Sequence, residues 1–130
     1  MATKTVKVPG KDHPITVEPH KGRIVVTHGG VVIADTRDPL TLQESTYPAV
    51  HYIPRKDVDM AFLKRTEHAT YCPYKGDAAY YSISVEGEGP ENAVWTYEAP
   101  YDAVAEIKDY LAFYTDRVDS YEVERDRAND

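Results

Sequence analysis

A single cysteine, Cys72, stands alone among 130 residues, and that scarcity closes off several chemistries. No intramolecular disulfide and no Cys-x-x-Cys zinc knuckle can form, and a lone thiol suits a reducing compartment, so a cytoplasmic address is expected. Long apolar runs are missing as well. The N-terminal stretch MATKTVKVPGKDHPITVEPH mixes lysines with single valines, unlike a signal peptide, and nothing approaches the roughly 20 apolar residues of a membrane span. Basic residues are outnumbered, 15 Lys and Arg against 22 Asp and Glu, for a net charge of -7. Nucleic acid is therefore not an expected partner, because its binding rests on electropositive surface. A local cluster can still hold a small anion, since net charge governs steering and solubility more than one pocket. The five histidines are scattered without zinc-ligand spacing, so no metal and no cofactor is expected. Walker, GxGxxG and GxSxG motifs are absent, which leaves P-loop, dinucleotide and serine-hydrolase readings without local support.

What is present reads as one domain spanning residues 1–130, long enough to bury roughly two thirds of its unfolded surface. Short runs rich in β-branched and aromatic residues, separated by Gly, Pro and Asp, predict a mainly antiparallel β-domain. Strands are expected at Ile15–Glu18 and Gly22–His28, and Gly29-Gly30 before VVIAD supplies the positive-φ residues of a hairpin turn. Shorter strands follow around Leu42 and over Val50–Ile53, with Tyr47-Pro48 between them. KDVDMAFLK predicts one or two helical turns capped by Asp57. From Ala79 to Val85 the alternation predicts a half-buried strand, paired with the NAVWTYE run. A helix capped by Asp102 is expected to Lys108, then a strand over Tyr110–Tyr114, a turn at Asp116-Arg117 and a last strand over Val118–Val123. The core thus spans about residues 15–123, and the polar tail 124–130 is expected to fray.

The stretch ATYCPYKGDAAYYSI concentrates the candidate chemistry. Pro73 biases Cys72 toward an extended backbone, and PYKG is turn material in which Gly76 can take positive φ. Cys72 reads in two ways: a nucleophile whose pKa is lowered by Lys75, or a small buried hydrophobe. His68 lies four residues upstream, the nearest base for a Cys-His pair. Lys75 reads either as a point charge for a phosphate or carboxylate or as an exposed turn lysine, and Arg117 invites the same pair of readings. Tyr47, Tyr52, Tyr71, Tyr74, Tyr80, Tyr97 and Tyr114, with Trp95, supply core packing or an aromatic pocket for a planar ligand, its polar end fixed by Glu44 or Lys75. Asp57 and Asp59 form a D-x-D, the pattern a magnesium-dependent phosphoryl transferase uses.

The strings VVIADT, YPAVHYIPRKDVDM, TYCPYKGDAAYYS, NAVWTYEAP and AFYTDRVD, in this order, resemble the family catalogued as domain of unknown function 427, from about Arg23 to Tyr121. The resemblance implies a small β-tent-like fold of two leaning sheets with one or two short helices. Zinc-binding β-tent domains use paired cysteines, which this sequence lacks, so packing is expected to replace the metal. The family is also filed under a nucleotidyltransferase label. Three functions follow as expectations. The first is binding of a small, anionic or nucleotide-like ligand in an aromatic pocket around TYCPYKG, with Cys72 and Lys75 as catalytic candidates. Its ligand contacts would come from Glu44, Tyr52, Tyr71, Gly76, Trp95 and Tyr114. The second is a non-catalytic module that meets another protein, or a second copy as a homodimer, through its surface or an edge strand. The third is the nucleotidyl transfer of the label.

Overall fold

In the computed structural model residues 4–125 are described. Ten strands carry the fold: β1 (Ile15–Pro19), β2 (Gly22–His28), β3 (Val31–Thr36), β4 (Leu40–Glu44), β5 (Val50–Tyr52), β6 (Leu63–Cys72), β7 (Gly76–Ile83), β8 (Val94–Tyr97), β9 (Leu111–Phe113) and β10 (Ser120–Arg125). They assort into three small antiparallel sheets where two are expected, in the orders β1-β4-β5, β10-β2-β3 and β6-β7-β8-β9. Gly29 and Gly30 close the β2–β3 hairpin at φ +59° and +81°, a pair of left-handed residues that only glycine adopts without strain.

The four-stranded sheet is central, and this changes the reading of β7. One face carries Tyr81 and Ile83 of β7, Val94 of β8 and Phe113 of β9 into a core shared with Ile24, Val26 and Ile33 of the β2–β3 hairpin. The opposite face carries Ala78, Tyr80, Tyr97 and Ala112 into a second core with Leu42, Tyr52, Val104 and Ile107. β7 is therefore covered on both faces, not half-buried, because each flanking sheet claims one side. Tyr80 looks polar in sequence, yet the residue is 6 % exposed.

The non-strand elements are short 3-10 turns among the described residues, not the one or two helices expected. KDVDMAFLK forms turns at Arg55–Asp57 and Met60–Phe62, and the cap is Asp59, which accepts from the Ala61 backbone N–H. Asp57 instead accepts from the Thr36 hydroxyl at 2.7 Å. Asp102 opens the turn Asp102–Ile107 without capping it, and a kink at Val104 keeps this segment from becoming α-helical. A further turn covers Thr115–Arg117. Glu124 and Arg125, placed in the expected frayed tail, pair with Arg23 and Gly22 of β2; residues 126–130 lie outside the described ones. Among the described residues no helix is long and apolar enough to cross a membrane.

Candidate functional site

The second core is where the singled-out residues collect. β6 is an edge strand that sequence reading leaves out, and it ends at Cys72. Its burial pattern is mostly exposed, so it lacks the alternation by which strands are recognised. Beyond it the chain turns through Pro73–Lys75, closed by a hydrogen bond from the Lys75 N–H to the Cys72 carbonyl at 3.2 Å. Gly76 takes φ +109°, as the turn reading predicts, and contributes backbone rather than a contact surface. The turn aims Lys75 back at β4. Its Nζ donates to Glu44 Oε1 at 2.6 Å, with the two side chains only 13 % and 12 % exposed, and it lies 5.9 Å from the Tyr97 ring centroid.

A third member was not foreseen. His13 Nε2 donates to the other Glu44 oxygen at 2.7 Å, and the His13 ring stacks on Tyr74 at 4.1 Å with planes 7° apart. Nothing local in KDHP marks this histidine, which lies far upstream of the tyrosine-rich turn. Burial acts to raise the Glu44 carboxyl, but the hydrogen bonds from Lys75 and His13 outweigh it and hold the carboxyl below its ordinary value. Glu44 is thus a carboxylate clamped between two donors, and Lys75 is neither an exposed turn lysine nor an unpaired cation.

Beside this cluster stands an aromatic wall. The Trp95 indole N–H donates to the Tyr52 hydroxyl at 3.3 Å, and Tyr114 packs on Trp95 at 4.7 Å between centroids. Burial pushes the Tyr52 and Tyr97 hydroxyls well above the ordinary tyrosine value. Tyr97 is 6 % exposed, and its hydroxyl makes no hydrogen bond among the described residues. Next to Trp95 and Tyr114 the surface opens into a cleft of about 220 Å³ that also touches His51 and Asp116. Arg117 lies 4.2 Å over the Tyr114 ring and donates to the Asn92 carbonyl at 3.2 Å.

Of the predicted residues, the fold joins Glu44 to Lys75 and brings Tyr52, Trp95 and Tyr114 together. Cys72 packs against the same core cluster. Tyr71 turns elsewhere: its hydroxyl bonds to the Thr5 carbonyl at 2.5 Å and to the Tyr101 hydroxyl at 2.7 Å. Lost hydration, then the Tyr101 bond, push it up to about 12. His68 meets the Tyr80 ring edge at 4.4 Å, and four residues along a strand span about 13 Å, so it is not paired with Cys72. The described residues hold no group of three or more His, Cys, Asp or Glu side chains placed to share a metal; Asp57 and Asp59 of the D-x-D are bonded to Thr36 and Ala61.

Three small antiparallel sheets, with a clamped carboxylate and an aromatic wall beside the second core, define a mainly-β protein. No curated protein matches the chain. Residues 16–124 match the family described as Domain of unknown function (DUF427), and the chain belongs to that family.

Proposed function

We propose that this protein binds a small molecule with a planar part at the seam between the β1-β4-β5 sheet and the central sheet. Trp95 and Tyr114 offer a face for stacking and line the cleft with His51 and Asp116, and Tyr52 holds the Trp95 indole in place; Tyr97, Cys72 and the Lys75–Glu44 pair lie outside the cleft lining. The observation that carries this reading is the surface cleft lined by the rings of Trp95, Tyr114, Tyr121 and His51 beside Asp116, an aromatic wall with a few polar groups of the kind planar ligands use. At about 220 Å³ the cleft is smaller than the roughly 300–1,000 Å³ of drug-sized pockets. A single ring fits it better than a whole nucleoside triphosphate, so it favours ligand binding over nucleotidyl transfer.

On the same reading, the leaning of the β1-β4-β5 sheet against the central sheet is the β-tent feature of the fold, and the second core fills the tent without metal. Lys75 is engaged by Glu44 and lies outside the cleft lining. A catalytic role for it or for Cys72 would require the ligand to open the Glu44 pair.

Native mass spectrometry of the protein as isolated, followed by titration of adenosine and other planar metabolites against Trp95 emission, tests the proposal. The sole tryptophan sits in the wall, so a bound ring should quench or shift it saturably. No retained mass and no response to any planar probe would refute the proposal and leave the protein-interaction reading in its place.

A further inference from the structure

The segment before β1 lies outside the family match, which begins at residue 16, yet it is laid across the tyrosine-rich turn. Lys4 pairs with Asp77, the Lys7 N–H donates to the Pro73 carbonyl at 2.9 Å, and Thr5 accepts from Tyr71. Gly10 and His13 exchange two backbone hydrogen bonds, 3.3 and 3.0 Å, which makes a tight turn with Lys11 and Asp12 at its tip. His13 anchors that turn to Glu44 and Tyr74. Between the arm and Tyr74 is a cleft of about 390 Å³ lined by Lys7, Val8, Gly10, Lys11, Asp12, His13 and Tyr74.

The charge of this cleft runs against that of the chain. Lys7 and Lys11 form no ion pair among the described residues, and Asp12 is the only acid in the lining, in a protein of net charge -7. Lys7 Nζ lies 5.9 Å from the Tyr74 ring centroid. The backbone N–H groups of Lys11 and Asp12 at the turn tip donate to no acceptor among the described residues. Two ammonium groups and successive peptide N–H donors around a stacked His-Tyr floor are the elements of an oxyanion site. At the inner seam, by contrast, the cation is already neutralised by Glu44.

We infer that residues 7–13 form a binding site for a phosphate-bearing anion at the outer surface of the Cys72–Gly76 turn. The site is distinct from the aromatic wall and belongs to the part of this chain that precedes the family match. Lys7 and Lys11 supply the charge, and the Gly10–His13 turn supplies direction. Because Glu44 holds His13, the site is fixed to the body of the protein.

The test is a titration of the isotope-labelled full chain with inorganic phosphate, followed by amide NMR at constant ionic strength. Saturable shifts should centre on Lys7, Gly10, Lys11, Asp12, His13 and Tyr74. Replacing both lysines, Lys7→Gln with Lys11→Gln, should weaken the apparent affinity about tenfold, as expected for removing two charges from a partly exposed site. The control variant Lys21→Gln with Arg37→Gln, at another surface cleft with unpaired cations, should bind as the parent does. Shifts that never saturate, that centre on Lys21 and Arg37, or that persist unweakened in the Lys7/Lys11 variant overturn the inference. The Trp95 indole signal, read against adenosine in the same samples, reports the aromatic wall separately, so either site can fail without the other.

Discussion

Replacing Lys75 by methionine removes one donor from a carboxylate that cannot turn to water. Breaking a fully buried pair by removing one partner costs about 3–5 kcal/mol, whereas an exposed pair is worth about 0–1 kcal/mol. Glu44 and Lys75 are 12 % and 13 % exposed, and His13 still donates to Glu44 in the variant, so a loss of about 2 kcal/mol is expected. With an unfolding entropy of about 2.1 cal/mol/K per residue, this lowers the melting temperature by about 7 °C at pH 7. The pH dependence carries the sharper sign. In the parent, the Glu44 carboxyl is held below its ordinary 4.5, so its stabilisation is present above that value and is lost as pH falls through the folded value. In Lys75→Met, burial is opposed by His13 alone and the carboxyl rises, so protonation relieves the variant while it weakens the parent. The gap between the two proteins should therefore narrow on acidification from pH 7 toward pH 4. The double variant with Glu44→Gln should lose less than the sum of the single losses, because no unpaired charge is left. Melts followed by circular dichroism across this range decide the matter. A variant melting within about 2 °C of the parent at pH 7, or a gap that does not change with pH, would refute the clamped-carboxylate account.

Tyr52→Phe leaves the Trp95 indole N–H without its acceptor; a loss of about 1 kcal/mol should come with a shift in the emission of the single tryptophan, and unchanged emission would show the bond to be idle. Gly22 has φ +145°, and a Cβ there would lie 1.8 Å from the Glu124 carbonyl, so Gly22→Ala should cost about 2–3 kcal/mol and unpair the end of β10. Gly30→Ala meets open space and should cost about 1 kcal/mol from backbone strain alone. Chemical denaturation of the two alanine variants side by side checks this, and equal midpoints would contradict it.

The strands with a clean apolar rhythm were legible in sequence. Ile24 and Val26 alternate because only one face of β2 meets the core, and Gly29-Gly30 announces its hairpin. β6 was not legible, because LKRTEHATYC lies at the edge of a sheet and keeps most of its side chains in solvent. The covering of β7 on both sides was hidden too, since alternation describes a strand and not which sheets lie above and below it. The Tyr52, Trp95 and Tyr114 wall could be anticipated from residue type, and Glu44 and Lys75 each as a polar anchor beside it, but not their pairing with one another, which joins β4 to a turn 31 residues downstream. His13 could not be anticipated, because its role depends on an arm that crosses the fold and contacts residues 31 and 61 positions away, Glu44 and Tyr74. Asp57 and Asp59 show the opposite case, a suggestive motif whose two carboxylates are taken up by hydrogen bonds from Thr36 and from the Ala61 backbone.

The order of pairing also separates early assembly from late. β6 to β9 pair strictly with their neighbours in sequence, so this meander can form from local contacts while the rest of the chain is still being made. The β2–β3 hairpin is equally local, but its outer edge waits for β10, about a hundred residues downstream by the pairing of Val26 with Tyr121. During synthesis, Arg23 to Thr27 must therefore remain an open strand edge until residues 120–125 have left the ribosome. That interval is when this chain is most exposed to strand exchange with a neighbour.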